Sequence, residues 1–235
     1  MKAYRITTLI LMVILLCCQS SIWAQPKVIR YDNSWAVLIG INRYKHWPNL
    51  EYAVQNVKAM KNLLMEEFGF EESRIIVLEN QDATLEKIRV LMGEELPQKV
   101  GTNDQVLFFW SGHGDTFDYP TGDKVGYLIP VEGPSNPGQF YSGCLSMSEI
   151  GSFAKLIPAR HILFLVDACY GGLAVENTYS SSNLGTDLHK ISKEQSRQLI
   201  TAGNADEKVV EKDEWQHSAF TYEMLSPLRK VRFTC

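Results

Sequence analysis

The chain has neither an excess of basic residues nor a long apolar segment, and each absence excludes a class of function. Its 235 residues include 23 Lys and Arg against 27 Asp and Glu, which gives a formal net charge of −4. Proteins that bind nucleic acid depend on clustered positive charge, so we expect no nucleic-acid partner. The longest largely apolar run, residues 6–18, is shorter than the ~18 residues that a membrane-spanning helix needs.

Cysteine is scarce and irregularly spaced. Of the five cysteines, Cys17 and Cys18 lie in the N-terminal apolar run, which leaves Cys144, Cys169 and Cys235. Their spacing does not match that of zinc-ligand pairs, so we expect no metal site built on these cysteines. Three cysteines in a chain of this size do not form a disulfide framework. At least one thiol is therefore expected to be free or paired between chains.

The N-terminus has the three parts of a secretory signal. Lys2 and Arg5 precede the apolar run, and a segment of small residues follows it and ends at Ala24. This order is typical of a signal peptide. We predict a signal peptide over residues 1–24 and an exported domain over 25–235, located in the periplasm, in the cell envelope or outside the cell. An N-terminal anchor that is not cleaved is the alternative.

Two continuous apolar runs end in chemically active residues. Residues 162–166 are followed by Asp167 and Cys169, and residues 106–110 are followed by His113 between two glycines. Short apolar runs of this kind are typical of central strands that are buried on both faces of a parallel sheet. The carboxyl ends of such strands are where α/β proteins bind ligands. We therefore expect a histidine and a cysteine at one edge of a sheet.

Strands and helices alternate along the chain, which predicts an α/β fold with a mostly parallel sheet covered on both faces. The predicted strands are residues 35–41, 74–78, 104–110, 162–166 and 196–202. The predicted helices are residues 50–68, 84–95 and 146–156, and a last helix that begins at 218. Polar residues 115–123 are expected to form a loop, and 125–131 a short extra strand or hairpin. Residues 178–195 are expected to form an exposed linker loop.

A cysteine beside a histidine suits nucleophilic catalysis. The thiolate of Cys169 is a strong nucleophile, and His113 titrates near neutral pH and can exchange protons with it. The backbone N–H groups of Gly114 and Cys169 could bind a developing oxyanion. Two alternatives stay open, because a strand cysteine is often only structural and because the same pair could bind a metal. A metal site is the weaker alternative, since no third and fourth ligands are suitably spaced.

Two motifs resemble those of the caspase-like cysteine peptidases, in particular the metacaspase and bacterial caspase-like branch of peptidase family C14. They are Ser111-Gly112-His113-Gly114 and Asp167-Ala168-Cys169-Tyr170-Gly171-Gly172. The distance between them agrees with the ~50 residues that separate histidine and cysteine in caspases. The resemblance covers residues 34–225, nearly all of the predicted domain.

The resemblance implies a fold, a reaction and a set of site residues. The implied fold is a three-layer α/β/α sandwich, and the implied activity is that of a cysteine endopeptidase acting on a polypeptide substrate. Cys169 would attack the peptide carbonyl, His113 would serve as acid and base, and Gly114 and Cys169 would form the oxyanion hole. Asp167 would lie in the substrate pocket and bind Arg or Lys at P1, although a turn-capping carboxylate is the alternative.

One position departs from the pattern of metacaspases. These proteins usually have a second pocket aspartate in the first helix, where this chain has Gln55 and Asn56. We predict Asn56 as a substrate-binding residue without charge. A neutral residue there should weaken the preference for basic P1 residues and admit neutral ones.

The resemblance also suggests how activity is controlled. The linker at residues 178–195 lies where relatives are cut on activation, and Lys190 and Lys193 are candidates for self-cleavage. Asp115, Asp118 and Asp123 could bind the Ca²⁺ that some metacaspases need, although a solvated acidic loop is the alternative. The second function considered is a caspase-like binding or signalling module without turnover. No cofactor is otherwise expected, and the sequence gives no oligomeric state.

Overall fold

The computed structural model describes residues 30–168, 194–202 and 211–228. Its strands and helices are, in chain order, β1 (Ser34–Gly40), α1 (Ala53–Phe68), β2 (Ile75–Glu79), α2 (Leu85–Val90), α3 (Leu96–Lys99), β3 (Gln105–Ser111), β4 (Gly114–Asp118), β5 (Lys124–Leu128), α4 (Phe140–Gly143), β6 (Leu145–Ser146), α5 (Met147–Leu156), β7 (His161–Asp167), β8 (Ser196–Thr201), β9 (Glu211–Lys212), β10 (His217–Ser218) and α6 (Ala219–Leu228). All five predicted sheet strands are present.

The central sheet has five parallel strands in the order β2-β1-β3-β7-β8. The two most apolar runs, β3 and β7, are hydrogen-bonded neighbours, and Ser111 pairs with Asp167 at their carboxyl ends. β1 lies on the other side of β3, where Gly40 pairs with Ser111. The strand ends that carry the candidate residues therefore lie side by side at one edge.

Side chains alternate between the two faces of the sheet and are buried on both. Ala36 and Leu38 of β1 pack in a core with α1 and α6. Val37 and Ile39 pack in a second core with α2 and α5. Helices therefore cover both faces, and the fold is the expected three-layer α/β/α sandwich.

Local signals set the helix ends as predicted. Gly69 ends α1 in the left-handed conformation, with φ of 67°. The Thr84 side chain accepts from the Lys87 N–H at the start of α2. Ser146 and Glu149 form the predicted capping box of α5. Beyond Val90 the chain continues as a π-helix and then as α3, so this helical segment is longer than predicted.

The prediction of a loop over residues 115–123 is wrong for its first half. Residues 114–118 form β4, which pairs in antiparallel fashion with β5, and Asp118 lies opposite Lys124. The strand was not predicted because its residues are polar and show no apolar alternation. The predicted extra strand at 125–131 is confirmed as β5, and a turn containing Gly122 joins the two strands.

Several predictions fall on residues that the structure does not describe. These are the signal peptide at 1–24, Cys169, and the linker at 178–195 apart from its last two residues. The described residues from Tyr31 onward belong to one compact unit. In the described ranges, no helix is both long enough and apolar enough to cross a membrane.

Candidate active site

In the register of β3 and β7, the histidine and the cysteine motif each follow the same pair of strand residues. Ser111 pairs with Asp167, and the Gly112 N–H donates to the Asp167 carbonyl oxygen at 3.2 Å. His113 follows Ser111 by two positions, and Cys169 follows Asp167 by two positions. The position of His113 is described, whereas Cys169 lies outside the described residues.

His113 is held by aromatic residues of the loop after β1. Its backbone N–H donates to the Tyr44 hydroxyl at 2.7 Å. The imidazole centroid lies 4.7 Å from the Tyr44 ring and 5.4 Å from the Trp47 ring. A β-carbon at Gly112 would lie 2.5 Å from the Tyr44 hydroxyl oxygen. Glycine at 112 therefore allows Tyr44 to reach the His113 backbone.

The same loop fixes the tautomer of His113. The ring Nε2 lies 2.8 Å from the carbonyl oxygen of Pro48. A carbonyl oxygen can only accept, so Nε2 carries a hydrogen, and in the neutral ring Nδ1 is the basic nitrogen. Burial lowers the pKa of His113. The ring is therefore neutral near pH 7 and able to take a proton at Nδ1.

Asp167 is buried, and its two carboxylate oxygens differ in their partners. Oδ2 accepts from Thr221 Oγ1 at 2.6 Å, from Asn56 Nδ2 at 3.2 Å, from Ser111 Oγ at 3.4 Å and from Ser218 Oγ at short range. Oδ1 is buried and has no hydrogen-bond partner among the described residues. A buried polar atom without a partner is costly. Among the described residues, Oδ2 thus has four donors and Oδ1 has none.

Burial also changes the protonation of Asp167. Desolvation raises the pKa of this carboxyl to about 6, although the hydroxyls of Ser218, Thr221 and Ser111 act in the opposite direction. The group is therefore ionised at pH 7 but protonated in mildly acidic solution. A cationic donor at Oδ1 would favour the ionised form.

Asn56 orients the donors around Asp167. Its Nδ2 reaches Ser111 Oγ at 3.0 Å as well as Asp167 Oδ2. This fixes the amide so that its Oδ1 faces His217 Nδ1 at 2.7 Å, where His217 donates. Asn56 is fully buried. The predicted substrate-binding residue thus lies in the network that supports Asp167.

The remaining predicted residues are found in different settings. Gly114 is buried, opens β4 and pairs with Leu128. Cys144 is a free, buried cysteine, and burial raises the pKa of its thiol to about 12. A thiol that stays protonated is a poor nucleophile. Cys144 is therefore unsuited to the role predicted for Cys169.

The three aspartates considered for Ca²⁺ are not brought together. Asp118 forms an ion pair with Lys124 at 3.5 Å, and Asp123 accepts from Thr121 Oγ1 at 2.8 Å. Asp115 lies three residues before Asp118 on β4, which is about 10 Å in a strand. In the described part of the chain, no group of three or more Asp, Glu, His or Cys residues is placed to hold a metal ion.

The sequence did not predict the residues that contact His113 and Asp167 from distant positions in the chain. Tyr44 and Pro48 hold His113, and a backbone carbonyl gives no signal in a sequence. Ser218 and Thr221 lie within residues 34–225, the range that the resemblance covers, yet their contact with Asp167 was not predicted. Ser218 also accepts from the Thr221 N–H at 3.1 Å at the start of α6. One hydroxyl thus caps a helix and binds the carboxylate.

The structure is an α/β/α sandwich with a histidine and a buried carboxylate at the carboxyl edge of its sheet. This arrangement agrees with the class that the sequence motifs predict, the caspase-like peptidases. The family model described as Caspase domain (Peptidase_C14) matches residues 33–234. The chain belongs to this family, and the match supports a cysteine peptidase in general.

Individual relatives agree with the family. The chain is 29% identical over 164 residues to Metacaspase-1 of Eremothecium gossypii, a match that covers 65% of this chain and 35% of the relative. It is 26% identical over 188 residues to Metacaspase-6 of Arabidopsis thaliana, with coverage of 72% and 48%. The chain thus spans about a third to a half of the length of these curated relatives.

A solved structure supports the fold alone. A crystal structure of a protein from Geobacter sulfurreducens superposes with a TM-score of 0.60 at 16% identity, over 84% of this chain and 82% of the other. Identity at this level carries no argument about activity, but the agreement in fold extends over most of both chains.

Proposed function

We propose that the chain is a cysteine endopeptidase that cleaves peptide bonds after Arg or Lys, with Cys169 as nucleophile and His113 as acid and base. Membership of the caspase-domain family supports peptidase chemistry. The observation that carries the P1 preference is the half-satisfied carboxylate of Asp167, whose Oδ1 is buried without a described partner.

The acid–base role of His113 is supported by its hydrogen bonds. Because Nε2 donates to Pro48, Nδ1 is the atom that exchanges protons. In the proposed reaction, Nδ1 takes the thiol proton as the Cys169 sulfur attacks the carbonyl carbon. The C–N bond then breaks, and the leaving amine takes that proton from Nδ1. Water attacks the thioester next, which releases the acid and restores the thiol.

Asp167 is proposed to bind the P1 side chain directly. A guanidinium or ammonium group at Oδ1 would supply the donor that this oxygen lacks, and a charge-assisted hydrogen bond of this kind is strong when desolvated. Asn56 would act as a positioning residue, since its amide holds Oδ2 and leaves Oδ1 for the substrate. The oxyanion would be bound by the N–H groups of Gly114 and Cys169.

Export and self-processing are part of the proposal. We propose that residues 1–24 direct the chain out of the cytoplasm and are removed after Ala24. Lys190 and Lys193 would be cut by the enzyme itself, since both match the proposed P1 preference. N-terminal sequencing of the exported protein and of its fragments tests these cleavages. In a Cys169→Ala chain the cuts after Lys190 and Lys193 should be absent, whereas residues 1–24 should still be removed.

The central experiment is turnover of fluorogenic peptides with Arg, Lys, Asp or a neutral residue at P1, with and without Ca²⁺. We expect cleavage after Arg and Lys to be much faster than cleavage after Asp or a neutral residue, independent of Ca²⁺ and abolished by Cys169→Ala. Substitution of His113 by Ala should reduce kcat by about 10²–10⁴-fold.

The other outcomes separate the parts of the proposal. Cleavage after Asp or a neutral residue that is as fast as cleavage after Arg or Lys and still requires Cys169 would keep the catalytic pair and contradict the role of Asp167. A folded chain that cleaves none of the peptides would contradict the enzyme and favour the binding module. Turnover that survives Cys169→Ala would refute the nucleophile.

A further inference from the structure

A hairpin after β8 brings an acidic side chain to the edge of the sheet that carries Asp167. β9 and β10 are antiparallel, and Glu211 lies directly opposite Ser218. Residues that face each other in this way point to the same side, with β-carbons about 5 Å apart. Because Ser218 Oγ donates to Asp167 Oδ2, Glu211 is separated from Asp167 by one small side chain.

The Glu211 carboxylate docks on the segment that also holds His113. Its Oε2 accepts from the Glu51 N–H and its Oε1 from the Tyr52 N–H, both at 3.3 Å. Pro48, whose carbonyl binds His113 Nε2, lies three residues before Glu51, which is at most about 10 Å of chain. The carboxylate is therefore near the histidine as well as near Asp167.

The charge of Glu211 acts on both candidate site residues. Burial is the largest influence on the pKa of Asp167 and of His113, and the negative charge of Glu211 raises both pKa values. By contrast, the side chains described in contact with the Asp167 carboxylate are neutral: Asn56, Ser111, Ser218 and Thr221. Glu211 thus places a negative charge near a carboxylate whose described contacts are all uncharged donors.

We propose that Glu211 is a second substrate-binding carboxylate, which together with Asp167 recognises a cationic P1 side chain. The inference rests on the proposed function and names a specificity residue for it. A carboxylate offers about four acceptor positions, and the hydrogen bonds to Glu51 and Tyr52 use two of them, both near the long end of the normal range. The remaining capacity can accept from a guanidinium or ammonium group.

The competing role for Glu211 is structural, since a carboxylate at a helix N-terminus also stabilises the helix. Glu211→Gln removes the charge and keeps an acceptor for the Tyr52 N–H, although the Glu51 N–H loses its acceptor. A purely structural loss should lower Tm and affect charged and uncharged peptides equally, which separates the two roles. Glu214→Gln is the matched control, since Glu214 is exposed in the turn of the same hairpin.

The measurement is the ratio of kcat/KM for P1 Arg to that for P1 citrulline, an uncharged analogue of similar shape. Loss of one charge-assisted contact should lower this ratio by about ten- to hundredfold in Glu211→Gln, through KM for the Arg peptide. Cleavage of the citrulline peptide should not change, and Glu214→Gln should keep the wild-type ratio. An unchanged ratio, or an equal loss for both peptides with a lower Tm, would overturn the proposal.

A binding experiment separates failure of this inference from failure of the proposed function. In a Cys169→Ala chain, the Kd values of the Arg and citrulline peptides are measured by calorimetry with and without Glu211→Gln. We expect tighter binding of the Arg peptide, reduced about tenfold or more by Glu211→Gln. Charge selectivity that Glu211→Gln does not reduce would overturn the inference, whatever the turnover of the wild-type chain.

Discussion

Asn56 Nδ2 donates to Asp167 Oδ2 at 3.2 Å, which joins the first helix to the carboxyl end of a central strand. The opposite side of the same amide accepts from His217. An uncharged side chain thus satisfies one oxygen of a buried carboxylate and leaves the other oxygen without a described partner. This arrangement makes the pocket sensitive to charge at position 56.

Asn56→Asp should destabilise the protein, increasingly so at higher pH. The new carboxyl would be buried beside Asp167, so the folded-state pKa of the pair would lie above the unfolded values. Stability from such groups is present below the unfolded pKa and is lost as pH rises through the folded pKa. We expect a loss of about 3 kcal/mol or more in the free energy of unfolding at pH 8 and a smaller loss at pH 5.

Urea unfolding at several pH values tests this prediction. Gln55→Glu is the matched control, since it makes the same amide-to-acid change at the exposed neighbouring position. It should alter the free energy of unfolding by less than about 0.5 kcal/mol. Equal effects of the two substitutions would contradict the role given to Asn56.

Asp167→Asn should change how stability depends on pH. The folded pKa of Asp167 is raised from 3.8 to about 6, so the native carboxyl binds a proton more tightly than the unfolded one. Its contribution is therefore fully present below about pH 4 and is lost as pH rises to about 6. Relative to Asp167→Asn, the wild type should lose about 3 kcal/mol between pH 4 and pH 7.

The measurement is the difference in unfolding free energy between wild type and variant across that range. If the amide itself costs stability to the same extent at every pH, the slope of this difference against pH is not affected. A difference that does not vary with pH would show that the Asp167 pKa is not raised. A difference that grows with pH in favour of the wild type would show that it is lowered.

The fold could be predicted because its signals are local and strong. β3 and β7 are continuous apolar runs, and α1 has a helical apolar period that ends at Gly69. The predicted pairing of their ends needed only the rule that carboxyl ends of parallel strands share an edge. β4 could not be predicted from such signals, because polar residues such as Asp115 and Thr116 are typical of a loop.

The supports of the site could not be predicted because they depend on tertiary contacts. Tyr44 reaches His113 across 69 positions, and the Pro48 contact uses a carbonyl oxygen that every residue has. The hairpin that carries Glu211 and His217 has strands of two residues each. Strands that short leave no periodic pattern.

Gly112→Ala should destabilise the protein and reduce activity together. The added β-carbon would lie 2.5 Å from the Tyr44 hydroxyl and 3.2 Å from Trp110 Nε1. Both neighbours are held in place, so the backbone of the histidine motif would have to move. Overpacking of this kind costs about 1–3 kcal/mol. Thermal unfolding and peptide turnover measure the two effects.

The control for this substitution is Gly151→Ala in α5, where an added β-carbon meets nothing within 4 Å. Because Ala is the better helix former, this variant should be more stable by about 0.5–1 kcal/mol and keep its activity. A neutral Gly112→Ala would contradict the close approach of Tyr44.

Tyr44→Phe should slow catalysis more than it weakens substrate binding. The substitution removes the acceptor of the His113 N–H, and an unpaired buried N–H costs about 1–3 kcal/mol. Its loss should let the histidine motif shift, and a small displacement of a catalytic group can cost about 10²-fold in rate. We expect kcat for an Arg peptide to fall by about tenfold or more, with little change in KM.

The control for Tyr44→Phe is Tyr127→Phe. Tyr127 is buried, whereas Tyr44 is partly buried, and the Tyr127 hydroxyl lies 2.9 Å from that of Tyr119. Loss of that hydroxyl should reduce the free energy of unfolding to a similar extent and leave kcat of the folded enzyme unchanged. If both variants lower kcat equally, the effect belongs to the surrounding aromatic packing. Equal stability losses with a fall in kcat only for Tyr44→Phe would assign Tyr44 the role of positioning His113.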